Sequence, residues 1–176
     1  MRRVAIVGIG HGKFGIRSDA SQRKLVFEAV KDCLNDAGVT IKEVESMVTG
    51  ICSDQFSFAL QPSAMIHDYI GFHPKPNFRT EAACATGSMA VRTGWMTVAS
   101  GLADVVLVAG AEKMTEVSTS VATEIMGRGG CHMGISVWDN LPRLLCNDRP
   151  GSYGSIRNDR RTAGQVPGSQ GSTQDT

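Results

Sequence analysis

Apolar positions recur with two different periods along most of this chain, and the alternation predicts its elements. The run "VAIVGIG" at 4–10 is apolar and β-branched and ends on glycine, which predicts a buried parallel strand. Leu25, Val26, Ala29, Val30, Cys33, Leu34 and Ala37 then return at helical spacing, with Asp19 or Ser21 as a start cap and Gly38 beyond the end. "VESMVTGIC" at 44–52 predicts a second strand. A short helix follows at 62–71, with Pro62 in its first turn. "NFRTEAA" at 77–83 predicts a third strand, 84–100 a second long helix closed by Gly101, and "ADVVLVAGAEKM" at 103–114 a fourth strand. Strands alternating with helices indicate an α/β layered domain. From about residue 131 neither period survives, and Gly, Ser, Asn, Asp, Arg and Pro dominate.

Composition narrows the classes. A chain of 176 residues is long enough for one domain with a sizeable core. Its formal net charge of +1 gives no electrostatic argument for nucleic acid or an anionic membrane as partner. The opening apolar run is too short and too glycine-broken for a signal peptide, and no run approaches the roughly 20 residues of a membrane span. The five cysteines, at 33, 52, 84, 131 and 146, form no CxxC pair. That spacing argues against a disulfide framework or a zinc site, and the expected compartment is a reducing cytoplasm.

Two stretches carry candidate chemistry. "GIGHGKFG" at 8–15 follows a strand-like run, but it lacks the GK[ST] ending of a phosphate cradle and the acidic partner of a dinucleotide fingerprint. A tight turn is its reading. Cys84, in "RTEAACATGSMAVRTGWM", stands where a strand ends and a helix begins, among Ala82, Ala83, Ala85, Gly87 and Ser88. Free N–H groups and the positive end of a helix favour a thiolate there, and small neighbours admit a bulky acyl group. Cysteine also packs as a small hydrophobe, which covers Cys33 and Cys52. On residue chemistry alone both roles stand for Cys84. His67, His73, Glu81, Glu112 and Lys113 read as helix, loop or supporting residues, with Glu81 turned from Cys84 by strand alternation. The methionines at 89, 96, 114 and 126 read as packing.

The segment "NFRTEAACATGSMAVRTGWMTVASGLADVVLVAGAEKM" resembles the active-site region of the thiolases, most closely their archaeal and sterol-carrier-protein branch. The resemblance covers residues 1–130. It implies the N-terminal half of the thiolase fold: α/β, a mixed sheet between helices, truncated. It also implies Cys84 as the nucleophile of a two-step acyl transfer, with its backbone N–H as an oxyanion donor. The substrates would be coenzyme A thioesters, with no metal and no redox cofactor. A homo-oligomer and an association with hydroxymethylglutaryl-CoA synthase on the mevalonate route come with the resemblance. The family's second half supplies a histidine base and a further acid/base residue, and those motifs are absent from this sequence. The chain is therefore expected to be inactive alone. A ketoacyl or hydroxymethylglutaryl-CoA synthase is the competing enzyme reading, and an acyl-CoA- or partner-binding module the competing non-enzyme one.

Residues 131–176 read as an out-of-frame translation of such a gene. Met133 and Gly134 require ATG GGN, which read one base later gives a forced tryptophan. Trp138 and Asp139 require TGG GAY, which gives a forced glycine. The reread string resembles the W-E-Y-P-x-G segment that follows G-R-G-G in archaeal thiolases. The expectation is a disordered or loosely packed tail in which Cys131, His132 and Cys146 are not site residues.

Overall fold

The computed structural model describes residues 2–128. The expected boundary at 130 and every expectation for 131–176 lie outside the described residues. Helix α1 (Gln22–Ala37) starts where the Ser21 hydroxyl accepts from the Lys24 N–H, and it ends at Gly38 in the left-handed conformation, φ 66°. Strand β1 is Ser46–Gly50, helix α2 Pro62–Tyr69 and strand β2 Asn77–Thr80. After a 3-10 turn at Ala83–Ala85 come helix α3 (Thr86–Ser100), strand β3 (Val106–Gly110), a second 3-10 turn at Met114–Glu116, and helix α4 (Thr119–Arg128).

The sheet has the order β2-β1-β3, and its three strands all run parallel. Central β1 is buried at every position, as a parallel strand covered on both faces must be. Met47, Ile51 and Leu107 share one core with Val26 and Val30 of α1 and with Ile66, Ile70 and Phe72 from α2 and the turn after it. The opposite sheet face meets α3, which crosses all three strands. Gly94 of α3 brings that helix close to the Val108 side chain, and Gly50 of β1 lies against Ala90 and Thr86. The result is a layer of helix, a sheet, and a second helical layer, which is the expected α/β class; the sheet was expected to be mixed and is all parallel among the described residues.

A half-buried lysine ties the neighbouring loops together. Lys75 donates to the carbonyls of Ile41, Lys42 and Val44, and its own carbonyl is bonded by His67 Nε2 at 2.8 Å.

The predicted strand at 4–10 is not a strand. The segment lies along α1, with Gly8 and Gly10 against Ala37, Ala29 and Cys33. Asp36 accepts the Ile9 N–H at 2.8 Å and Asp32 the His11 N–H at 3.1 Å. Ile6, Val7 and Ile9 are 78%, 67% and 71% exposed. The reason is pairing. A strand needs a neighbour's ladder, and among the described residues none faces this segment, so aspartates satisfy its amides instead.

Candidate functional site

Parallel strands release all their following loops on one edge, and open α/β sheets place ligands there. The last paired row is Thr80, Gly50 and Gly110. Just beyond it lie Cys52 after β1, Glu81 and Cys84 after β2, and Glu112 after β3. Glycines at two of the three row positions permit the close approach: a Cβ on Gly110 would come within 2.5 Å of the Gly50 carbonyl oxygen.

Cys84 sits inside the 3-10 turn that leads into α3, and it is exposed. β2 was expected to reach residue 83. It stops at Thr80 because Ala83 takes a positive φ of 47°, which turns the chain into the helix. Local hydrogen bonds hold this turn. The Ala82 N–H donates to Thr86 Oγ1 at 2.9 Å, and Thr86 Oγ1 donates to the Ala83 carbonyl at 2.7 Å. Glu81 accepts from the Ala83 N–H at 2.5 Å, so its carboxylate serves the turn; it lies past the end of β2, where strand alternation no longer sets its direction. The Ala85 N–H donates to the Ala82 carbonyl, leaving the intervening Cys84 amide outside these turn bonds.

The neighbouring loops are tied together. Glu112 accepts from the backbone N–H groups of Cys52 at 2.9 Å and Ser53 at 3.3 Å, and partial burial pushes its carboxyl up. Arg79 pairs with Asp54 at 2.6 Å and donates to the Ile51 carbonyl at 3.3 Å. Gln22, buried at the start of α1, donates to the Ala111 carbonyl at 2.7 Å and accepts from Ser57 Oγ at 2.8 Å. The loops after β1 and β3 are thus tied to each other and to α1, and Arg79 ties β2 to the first of them.

Cys52 was read from sequence as packing, and the structure places it on the Cys84 edge. Its thiol is pushed up, first by burial and then by the negative charges of Glu112, Glu81 and a Cys84 thiolate, with Arg79 opposing. The available signal was its position as the last residue of a predicted strand, where the chain leaves the sheet. Cys33 lies on α1 beneath Gly10, away from this edge, and burial pushes its thiol up too. Among the described residues no histidine contacts Cys84. His67 is bonded to the Lys75 carbonyl and stacks near His73, and His11 packs on Phe14. Lys113 is buried and pairs with Glu116, a structural role.

The edge thus offers one exposed thiol at a helix start, a second thiol beside it, and a carboxyl that ties the loops. No helix of the described residues is long and apolar enough to cross a membrane.

Comparison with known proteins agrees with this geometry. The family described as "Thiolase, N-terminal domain" matches residues 4–141. An acetyl-CoA acetyltransferase of Methanothermobacter thermautotrophicus is 35% identical over 161 residues, covering 89% of this chain and 42% of the relative. One from Methanocaldococcus jannaschii is 42% identical over 118 residues, covering 66% of this chain and 30% of the relative. The chain therefore spans less than half the length of either. Among solved structures, the Ltp2-ChsH2(DUF35) aldolase superposes with a TM-score of 0.54 at 26% identity, over 65% of this chain and 28% of that one. The chain belongs to the thiolase N-terminal domain family.

Proposed function

We propose that this chain is the nucleophile-bearing part of an acyl-CoA thiolase of the acetyl-CoA acetyltransferase type, and that Cys84 is its acyl acceptor. The observation that carries the reading is the exposed Cys84 at the start of α3, on the carboxyl edge of the parallel sheet. The Cys84 thiolate attacks the carbonyl carbon of an acyl-CoA, and the tetrahedral oxyanion collapses with loss of the CoA thiolate. The Cys84 N–H and the N-terminal end of α3 supply positive potential where that oxyanion forms. The acyl group then passes to CoA in thiolysis, or to the carbanion of a second acetyl-CoA in condensation. Substrates in this reading are coenzyme A thioesters, and the thioester chemistry needs no resident cofactor.

With no histidine at Cys84 among the described residues, the base that generates the thiolate has to come from elsewhere in a complete enzyme. The chain alone is therefore read as inactive in thiolysis. A homo-oligomer and contact with hydroxymethylglutaryl-CoA synthase in the mevalonate route belong to the same reading and follow from the resemblance; a cytoplasmic location follows from the cysteine spacing.

Limiting iodoacetamide on the native chain, followed by peptide mapping, tests the assignment. Cys84 is expected to be alkylated ahead of Cys33 and Cys52, whose thiols are shielded. In a full-length form, Cys84→Ser is expected to abolish acyl-enzyme formation while Cys33→Ser leaves it. Preferential labelling of Cys33 or Cys52, or an acyl-enzyme that survives Cys84→Ser, refutes it.

A further inference from the structure

The second thiol on the sheet edge has no part in the acyl transfer above. Cys52 and Cys84 follow adjacent strands whose last partners are Gly50 and Thr80. One residue lies two positions past that row and the other four, with the 3-10 turn folding the second stretch compactly. Neighbouring strands lie about 4.8 Å apart. A disulfide spans Cα atoms about 4.4–6.8 Å apart, a range that the separation of adjacent strands at this last row falls within. Cys52 lies in the irregular stretch between β1 and α2, where its backbone is free of a helix or strand ladder. Cys84 is exposed and Cys52 is partly covered. That asymmetry makes one the thiol an oxidant reaches first and the other the thiol that follows.

We propose that Cys52 is the resolving thiol of an oxidation-sensitive pair with Cys84, closing a reversible intramolecular disulfide when a hydroperoxide oxidises Cys84. The inference rests on the reading of Cys84 as the reactive thiol. In the first step the Cys84 thiolate attacks the peroxide O–O bond. One oxygen bonds to sulfur, giving the sulfenic acid, and the other leaves as hydroxide, or alkoxide from an organic peroxide, and takes up a proton. In the second step the Cys52 thiolate attacks the sulfenic sulfur. The S–S bond forms, the S–O bond breaks, and the oxygen leaves as water. Two thiols lose two electrons to the peroxide, and an external dithiol returns them. Without a second thiol the sulfenic acid proceeds to the sulfinic acid, which ordinary thiols do not reverse. The surroundings of Cys52 suit the slower role: burial and the nearby carboxylates push its thiol up, which makes it the less reactive of the two.

The test treats the 176-residue chain with hydrogen peroxide, blocks free thiols, and maps peptides by mass. The expected result is a linked peptide pairing Cys52 with Cys84, reversed by dithiothreitol and retained in Cys33→Ser. In both Cys52→Ser and Cys52→Ala, dimedone trapping at Cys84 is expected to rise and the sulfinic form to accumulate several-fold. Iodoacetamide labelling of reduced Cys84 should be unchanged in those variants, which shows that the turn around it is intact. The proposal is overturned if Cys84 in the unsubstituted chain reaches the sulfinic acid as fast as in Cys52→Ser. It is overturned equally if Cys84 links to Cys33, Cys131 or Cys146 in preference. If dimedone marks Cys84 but no Cys52 link forms, only this inference fails. If dimedone marks Cys52 or Cys33 instead, the assignment of Cys84 as the reactive thiol fails with it.

Discussion

The same substitution at two glycines of α3 should act with opposite sign. Gly87 and Gly94 both lie within α3, and alanine favours a helix over glycine by about 0.5–1 kcal/mol. A Cβ on Gly87 meets nothing within 4 Å, so Gly87→Ala is expected to stabilise the fold by about that amount, toward the lower figure because the first turn is less constrained. A Cβ on Gly94 would lie 2.6 Å from Val108 Cγ2, well inside the 3.4 Å at which ordinary contact begins. Val108 is β-branched, with few rotamers to retreat into, and its strand is pinned by pairing to β1. Overpacking of this kind costs about 1–3 kcal/mol, which outweighs the gain in helix propensity. Gly94→Ala should therefore destabilise by about 1 kcal/mol, and the two variants should differ by about 1.5 kcal/mol, about a tenfold change in the folding equilibrium. Urea titrations followed by far-ultraviolet circular dichroism read the difference as a shift in midpoint at constant slope. Two variants that move the midpoint in the same direction by similar amounts would refute the argument that α3 is held against β3 by the absence of a side chain at Gly94.

Two other outcomes follow from the core and the edge. Ile66, 1% exposed within the core shared by α1, α2 and the sheet, should lose about 2–5 kcal/mol on replacement by Ala, measured by the same titration, and a loss under 1 kcal/mol would contradict its placement. The Glu112 carboxyl is raised above its ordinary 4.5 by burial, so its contribution is complete below that value and is lost as pH climbs through the folded value; Glu112→Gln should flatten that decline in a pH series of melting temperatures, and an unchanged slope would contradict it.

Much of the layering was legible because local signals and packing agree. Ser21 and Gly38 bracket α1 as capping chemistry requires, and Pro62 opens α2. The apolar runs around Met47 and Leu107 became strands because both of their faces meet helices. The run at 4–10 carries the same signal and forms no strand, since a β-branched sequence states a preference for pairing without supplying the partner. Helix α4 went unread because its polar start, "STSVATE", looks like a loop until Thr119 and its neighbours turn. At the site, the position of Cys84 at a helix start was readable. The companionship of Cys52 and Glu112 was not, because it depends on which strands lie side by side: β1 pairs with both β2 and β3, and sequence order alone does not give that arrangement. The tie from Glu112 to the Cys52 amide joins residues sixty positions apart.

That strand order also sets how the molecule assembles. Met47 pairs with Asn77, thirty positions on, and with Leu107, sixty positions on. Each doubling of a closed loop adds about 0.6 kcal/mol of entropic cost, so β1 and β2 zip first and β3 joins an existing pair. The Glu112 carboxyl reaches the Cys52 loop only when β3 docks, so that tie closes after β1 and β2 have paired. It is also the first to open, and amide exchange should find β3 and the Cys52 loop exchanging together, ahead of the β1–β2 ladder.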